Sequence, residues 1–251
     1  LAGYTYAEYA RRGFTELVLV AFFSLLLFLA LSAIARRTSS RQRITFSALG
    51  AILTIQVGVM LVSAYQRLLL YEAAYGFTRL RTYTHAFIIW LGVLLGILLL
   101  LELLGKLRAF TLAAVLVAIA FGVTLNLLPV DGFIARQNIQ RAEQGFELDG
   151  IYLQSLSLDA TPDLWRLYQE EGIDAALHEQ IGGVLACQAA INQADDRPWQ
   201  AFHLARDRAE RLFQAQAAEL ERFDARYDER DLWVVTVNGT TQDCLIFDWI
   251  D

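Results

Sequence analysis

Charge is almost missing from four long stretches of this 251-residue chain, Leu17 to Ile34, Ile44 to Ala64, Ala86 to Leu104 and Phe110 to Val130. Each is about as long as the roughly 20 helical residues that cross a hydrocarbon core, which excludes an ordinary water-soluble domain for the first half. Proline is scarce as well: there are three, and the first, Pro129, comes only where the last apolar run ends. No proline therefore breaks a helix before that point. The two cysteines, Cys187 and Cys244, lie far apart and form no CxxC pair. They are either a disulfide, which requires the tail to lie outside the cytosol, or two unrelated thiols. Neither these nor His178 and His203 have metal-ligand spacing, and His85 is the one histidine near a span, which leaves a haem or chlorophyll without an axial ligand in the bilayer. GxSxG, HExxH and P-loop signatures are all missing. No catalytic residue, cofactor or metal is assigned.

Charge of one sign is unevenly spread. Up to Pro129 there are eleven Lys+Arg against four acids, Glu8, Glu16, Glu72 and Glu102; the remainder holds ten against twenty-three. The expected organisation is therefore a transmembrane region over 1–129 and an acidic extramembrane domain over 130–251. An acidic domain repels phosphate backbones, which disfavours nucleic acid as a partner. The fold class expected is an all-α membrane protein with four transmembrane helices, followed by a mainly helical soluble domain ending in a β-hairpin.

Residues 4–16 mix Tyr, Arg and Glu ahead of the first span, the composition of an interfacial anchor. The second run continues past its membrane exit with no breaker until Gly76. A helix from Ile44 to Tyr75 would be about 48 Å long and would protrude from the bilayer. Gly76 suits a left-handed C-cap and Thr78 the next N-cap, so Gly76-Phe77-Thr78 is the tip of a helical hairpin. Around it stand Arg67, Tyr71, Glu72, Tyr75, Arg79 and Arg81. Glu72 can reach Arg79 or Arg81 across the tip as a structural ion pair, with an aromatic belt beside it. The functional alternative is contact with an anionic headgroup, a ligand or a partner.

Small residues at four-residue spacing, Gly92 with Gly96 and then Ala114, Ala118 and Gly122, mark faces that pack against other helices, of this chain or of a partner. Gln56 and Ser63 are polar within the second span, where an amide usually bonds a neighbouring helix. Glu102 precedes Lys106 by one turn, which suggests an i,i+4 pair. Asn126, near Pro129, can satisfy backbone groups freed by the proline.

Beyond Pro129 the pattern is that of short capped helices. Asp131 begins one; Thr161-Pro162-Asp163 starts another that stops at Gly172; Asp174 caps a third reaching about Asn192. Asp196 begins the longest, with Trp199, Phe202, Ala205, Ala209, Leu212, Phe213, Leu220 and Phe223 at roughly helical spacing. Asp195-Asp196 and the run from Asp224 to Asp231 are solvated caps and surface. Leu232 to Val237 and Thr240 to Trp249, around Asn238-Gly239, form a hairpin that must pack on helices or a partner.

The basic loop from Ala35 to Arg43, with Lys106 and Arg108, lies on one side if all four runs cross, and short basic loops favour the cytoplasm. That places the acidic domain outside, although Arg11, Arg12, Arg67, Arg79, Arg81, Arg136 and Arg141 sit on the opposite side.

Tyr6-Ala7-Glu8-Tyr9-Ala10-Arg11-Arg12-Gly13-Phe14 with Glu16-Leu17, and Arg67-Leu68 with Leu70-Tyr71-Glu72, Tyr75-Gly76 and Thr78, carry a resemblance. It continues through Asn126-Leu127, Ile134-Ala135-Arg136 with Asn138, Tyr152-Leu153, Leu156-Ser157 and Asp159-Ala160, to Trp199 and Arg206-Asp207-Arg208-Ala209. The chain resembles a bacterial family of polytopic membrane proteins, domain of unknown function four-one-seven-three, over about residues 4–213. Phe202-His203 departs from it, where a Trp followed by Asn is expected, and the terminal hairpin looks like an addition. The resemblance implies further spans before Leu1, and it brings no established activity.

The expected function is that of a non-catalytic scaffold or accessory subunit of a bacterial inner-membrane complex. Its partners would be the lipid bilayer and other membrane subunits or a second copy. The alternative is a transporter or sensor component that uses the Arg67/Glu72/Arg79/Arg81 hairpin.

Overall fold

The computed structural model describes residues 6–35, 38–146, 148–194, 203–230 and 232–244, and within them the side chains of all but 6–15 and 151. The anchor expected over 4–16, Arg36 and Arg37 of the basic loop, Asp195-Asp196, Trp199 and Phe202 thus lie wholly or largely outside the described residues or side chains. The chain forms two compact units, Leu1–Leu128 and Pro129–Asp251.

The first unit consists of α1 (Tyr6–Ile34), α2 (Ser40–Tyr75), α3 (Arg79–Leu103) and α4 (Phe110–Leu127), with a short 3-10 turn at Leu107–Ala109. Four helices here are long and apolar enough to cross a membrane. Ser39 opens α2 with a capping box: its side chain accepts from the backbone N–H of Gln42, and the Gln42 side chain accepts from that of Ser39. The cap starts α2 earlier than the apolar run does. The helix then runs 36 residues, about 54 Å at 1.5 Å per residue, to Gly76, whose φ of 78° only glycine adopts without strain. Thr78 occupies the N-cap position of α3, but its hydroxyl caps nothing.

Successive helices pack on one another, α1 on α2, α2 on α3 and α3 on α4. Leu17 and Ala21 of α1 meet Val57 and Leu61 of α2 and Ile88 and Leu95 of α3 in one buried cluster. Phe28, Leu98 and Phe110 centre a second cluster, against which Ala114 packs. Gly50 allows the ring of Phe28 to lie directly against the backbone of α2.

The second unit holds α5 (Val130–Glu143), α6 (Gly150–Gln154), α7 (Thr161–Tyr168), α8 (Ala175–Ala194), α9 (Leu204–Ala215) and α10 (Ala217–Leu220), then β1 (Arg226–Tyr227), β2 (Trp233–Val237) and β3 (Thr240–Asp243). Asp131 lies in the first turn of α5, Pro162 in that of α7, and the Asp174 carboxylate accepts from the N–H groups of Ala176 and Leu177 at the start of α8. These starts agree with the sequence. The long helix expected from Asp196 does not: its described part breaks at Gln216 into α9 and α10. The break lets Phe223 turn back onto α8, where Gly182 leaves room for its ring. Asp224, at φ 47°, then reverses the chain into β1.

Three antiparallel strands form one sheet in the order β1-β2-β3, one strand more than the expected hairpin. Asn238 and Gly239, at φ 52° and 74°, make the two-residue turn that matches strand twist. The strand expected to reach Trp249 is described only as far as Asp243, and residues 245–251 lie outside the described ones. Val235 and Val237 of β2 pack over Gly183 of α8. Cys187 of α8 and Cys244, just after β3, are joined by a disulfide with Cα atoms 5.7 Å apart, so the pairing that was open on sequence is the one formed.

Candidate functional site

The hairpin between α2 and α3 brings together a carboxylate and an imidazole. Glu72 Oε2 lies 2.6 Å from His85 Nε2. Glu72 is 1% exposed, and the His85 side chain 15%. The Tyr65 ring meets the imidazole edge-on, with centroids 4.9 Å apart. The second atom of each group, Glu72 Oε1 and His85 Nδ1, is buried and has no hydrogen-bond partner among the described residues. A carboxylate this buried is held only when a partner offsets its lost hydration.

Glu72 therefore faces His85, where the sequence suggested Arg79 or Arg81. Helical side chains lean toward their own N-terminus. On α2 that tilts Glu72 away from the tip, while on α3 it tilts His85 toward the tip, so the two meet. The same rule sends Arg81 over the end of α2, where it donates to the carbonyl of Tyr75 at 3.1 Å and to that of Gly76. Its guanidinium sits 4.2 Å from the centroid of the Tyr71 ring, which in turn lies 4.8 Å from Tyr75. A cation on these carbonyls offsets the negative end of the helix dipole. Of the remaining arginines, Arg67 is exposed and Arg79 half-buried, and both make interactions of their own. His85 was set aside on sequence as a lone histidine. Its position after the tip, opposite the acid on the other side of it, was the available signal.

At the other end of the same helices, Glu102 is 5% exposed and accepts a 2.7 Å hydrogen bond from Ser47 of α2, a partner from a facing helix where sequence pointed to Lys106. Gln56, expected to bond a neighbour, is exposed; the buried polar residue of α2 nearby is Thr54, whose hydroxyl donates to the carbonyl of Gly50. Asn126 donates to the carbonyl of Gly122.

The small residues divide. Gly92 touches Leu61 and Ala114 packs in the second cluster, but Gly96 and Ala118 are exposed, and neither Gly96 nor Gly122 has any atom within 4 Å of where a Cβ would stand. The packing expected of Gly96 and Ala118 is thus not made within this chain. Gly58, Gly92 and Gly96, with Leu61, Ser63 and Gln66, line a groove of about 620 Å³ between α2 and α3.

In the second unit, polar residues pin helices together. The Thr161 hydroxyl donates to Gln188 Oε1, and Gln188 donates to the carbonyl of Leu156. Asp131 accepts from the N–H of Ser157, and Asp163 lies 3.5 Å from Arg136 and 3.6 Å from Arg166. Burial pushes the carboxyl of Asp163 above its ordinary range, and Arg136 and Arg166 pull it back in part. Asp159 is raised by burial too, against the pull of His203. Among the described residues no three His, Cys, Asp or Glu side chains converge on a metal position.

Residues 1–167 match the family described as Domain of unknown function (DUF4153). The chain belongs to that family. The family number read from the motifs, four-one-seven-three, gives way to this one, while unknown function stands. The DUF4153 match includes all four long helices and α5, α6 and nearly all of α7, and it contains both Glu72 and His85. Trp199 and Arg206 to Ala209, counted in the resemblance, lie beyond it, as do the sheet and the disulfide. No curated protein and no solved structure matches the chain.

Proposed function

We propose that this DUF4153 chain is a non-catalytic scaffold or accessory subunit of a bacterial inner-membrane complex, with lipid around it and a membrane subunit or second copy against its open helix faces. The observation that carries this reading is the glycine-floored groove between α2 and α3, left unfilled by the chain's own side chains. In lipid, close backbone approach at such faces supplies much of helix association. Purification in mild detergent should yield a stoichiometric partner or a stable homo-oligomer. Gly96→Leu, which meets open space within the chain, should abolish that association while leaving the monomer folded. A clean monomer across several detergents overturns the reading.

We infer that the acidic domain lies outside the cytoplasm. The Cys187–Cys244 disulfide supports this, because such bonds persist in oxidising compartments, and it agrees in direction with the basic loop at Arg41 and Arg43. An acidic exterior domain also leaves nucleic acid out as a partner.

A second reading is favoured by one observation. An ionisable pair buried between apolar helices, Glu72 with His85, suits a transporter or sensor component. Glu72→Gln should then change transport or signalling at unchanged membrane abundance. Arg81→Ala tests a different property, since it removes the group that caps α2.

A further inference from the structure

We propose that Glu72 and His85 form a proton-transfer pair, in which the imidazole accepts a proton and hands one on to the carboxylate. The geometry consists of a 2.6 Å hydrogen bond, a carboxylate 1% exposed, and one atom on each side, His85 Nδ1 and Glu72 Oε1, that is buried and unpartnered among the described residues. A pair that served only to brace two helices would gain from having all its polar atoms satisfied. Here each group keeps one atom unmet, which leaves a place for a proton to arrive and another from which it can leave.

The step balances without any co-reactant. With Glu72 ionised and the neutral ring protonated at Nε2, a proton arriving at Nδ1 makes an imidazolium. The Nε2 proton then moves along the hydrogen bond to Oε2, breaking one N–H bond and forming one O–H bond. A neutral carboxyl group and a neutral ring protonated at Nδ1 remain. The pair has gained one proton and lost its negative charge, and apolar surroundings favour that loss. Release of the carboxyl proton and return of the ring to its first tautomer restore the start.

On α2 the titratable and charged neighbours are Tyr65, edge-on to the ring, with Arg67 and Tyr71; on α3 they are Arg79, Arg81 and Tyr83. Arg81 is held on Tyr71 and the carbonyl groups at the end of α2. The charged side chain of α1 that the structure describes is Glu16, which is exposed, and α4 contributes no charged residue. No groove residue enters this inference, so it stands apart from the scaffold reading and can fail separately.

The test uses the full chain in lipid nanodiscs, with 15N-labelled histidine for NMR and infrared difference spectra between pH values. On acidification the His85 signals should move together with a protonated-carboxyl band that Glu72→Asp shifts and Glu72→Gln abolishes. Proton uptake on acidification should fall by about one proton per chain in Glu72→Gln. A His85 whose charge and tautomer stay fixed throughout the acidification overturns the proposal. So does a carboxyl band that Glu72→Asp leaves in place. Wild-type protein alone gives the first of these answers, so a variant that fails to fold does not shield the idea.

Discussion

Gly50 stands where the buried ring of Phe28 leaves no room for a Cβ, whereas Gly58, two turns further along α2, faces open space. Replacing either by alanine gains the same helix propensity. Gly50→Ala should therefore fall below Gly58→Ala in unfolding stability by about 1–3 kcal/mol, the usual cost of overpacking. Equal stabilities in a detergent unfolding series would refute this packing. A second prediction concerns Asp159, whose carboxyl burial pushes above its ordinary range. An acid raised in this way holds more protons folded than unfolded. Its contribution is complete at low pH and is lost as pH rises from the ordinary Asp range through the raised value. The Tm of Asp159→Asn relative to wild type should accordingly increase as pH rises above the ordinary Asp range. A flat difference would show that the group is not desolvated. Glu72 was legible in sequence as a hairpin acid, but its partner was not, because side-chain tilt, and not distance along the chain, selects His85 over Arg81.

Elements were readable where local chemistry decides them. Pro162 in the first turn of α7, Asp174 before α8 and Asn238-Gly239 each settle their own stretch of backbone. They did not reveal the break at Gln216, because the apolar spacing from Leu212 to Phe223 continues across it. Phe223 is 1% exposed, and what it gains by folding onto Gly182 is a tertiary matter. Strand β1 was missed for a similar reason: Arg226-Tyr227 pairs with β2 although both residues are exposed. The disulfide ties α8 to the end of β3 across 57 residues. Its removal in Cys187→Ser with Cys244→Ser should cost the second unit about 2–4 kcal/mol. Amide exchange in β2 and β3 should speed up in that variant, and protection equal to wild type would argue that the sheet holds without the bond.

At the scale of the whole molecule, sidedness is the property most open to direct measurement. A periplasm-active reporter fused after Asp251 should be active and a cytoplasm-active one silent, with reciprocal results for fusions in the loop near Arg41. Reversed activities would place the acidic domain in the cytoplasm and leave its disulfide without an oxidising compartment. Composition alone determined that four apolar helices precede an acidic, mainly helical domain, because hydrophobic length and charge density are properties of the chain itself. The motifs at Tyr6 to Leu17 and Arg67 to Thr78, taken together, pointed to a family of unknown function, though under another number. Tertiary structure alone decided which small residues are filled and which stay open, which acid meets which base, and that the two cysteines join. Each of those outcomes depends on the direction in which a side chain leaves one element and on what another element presents to it, and neither is encoded at a fixed spacing in the sequence.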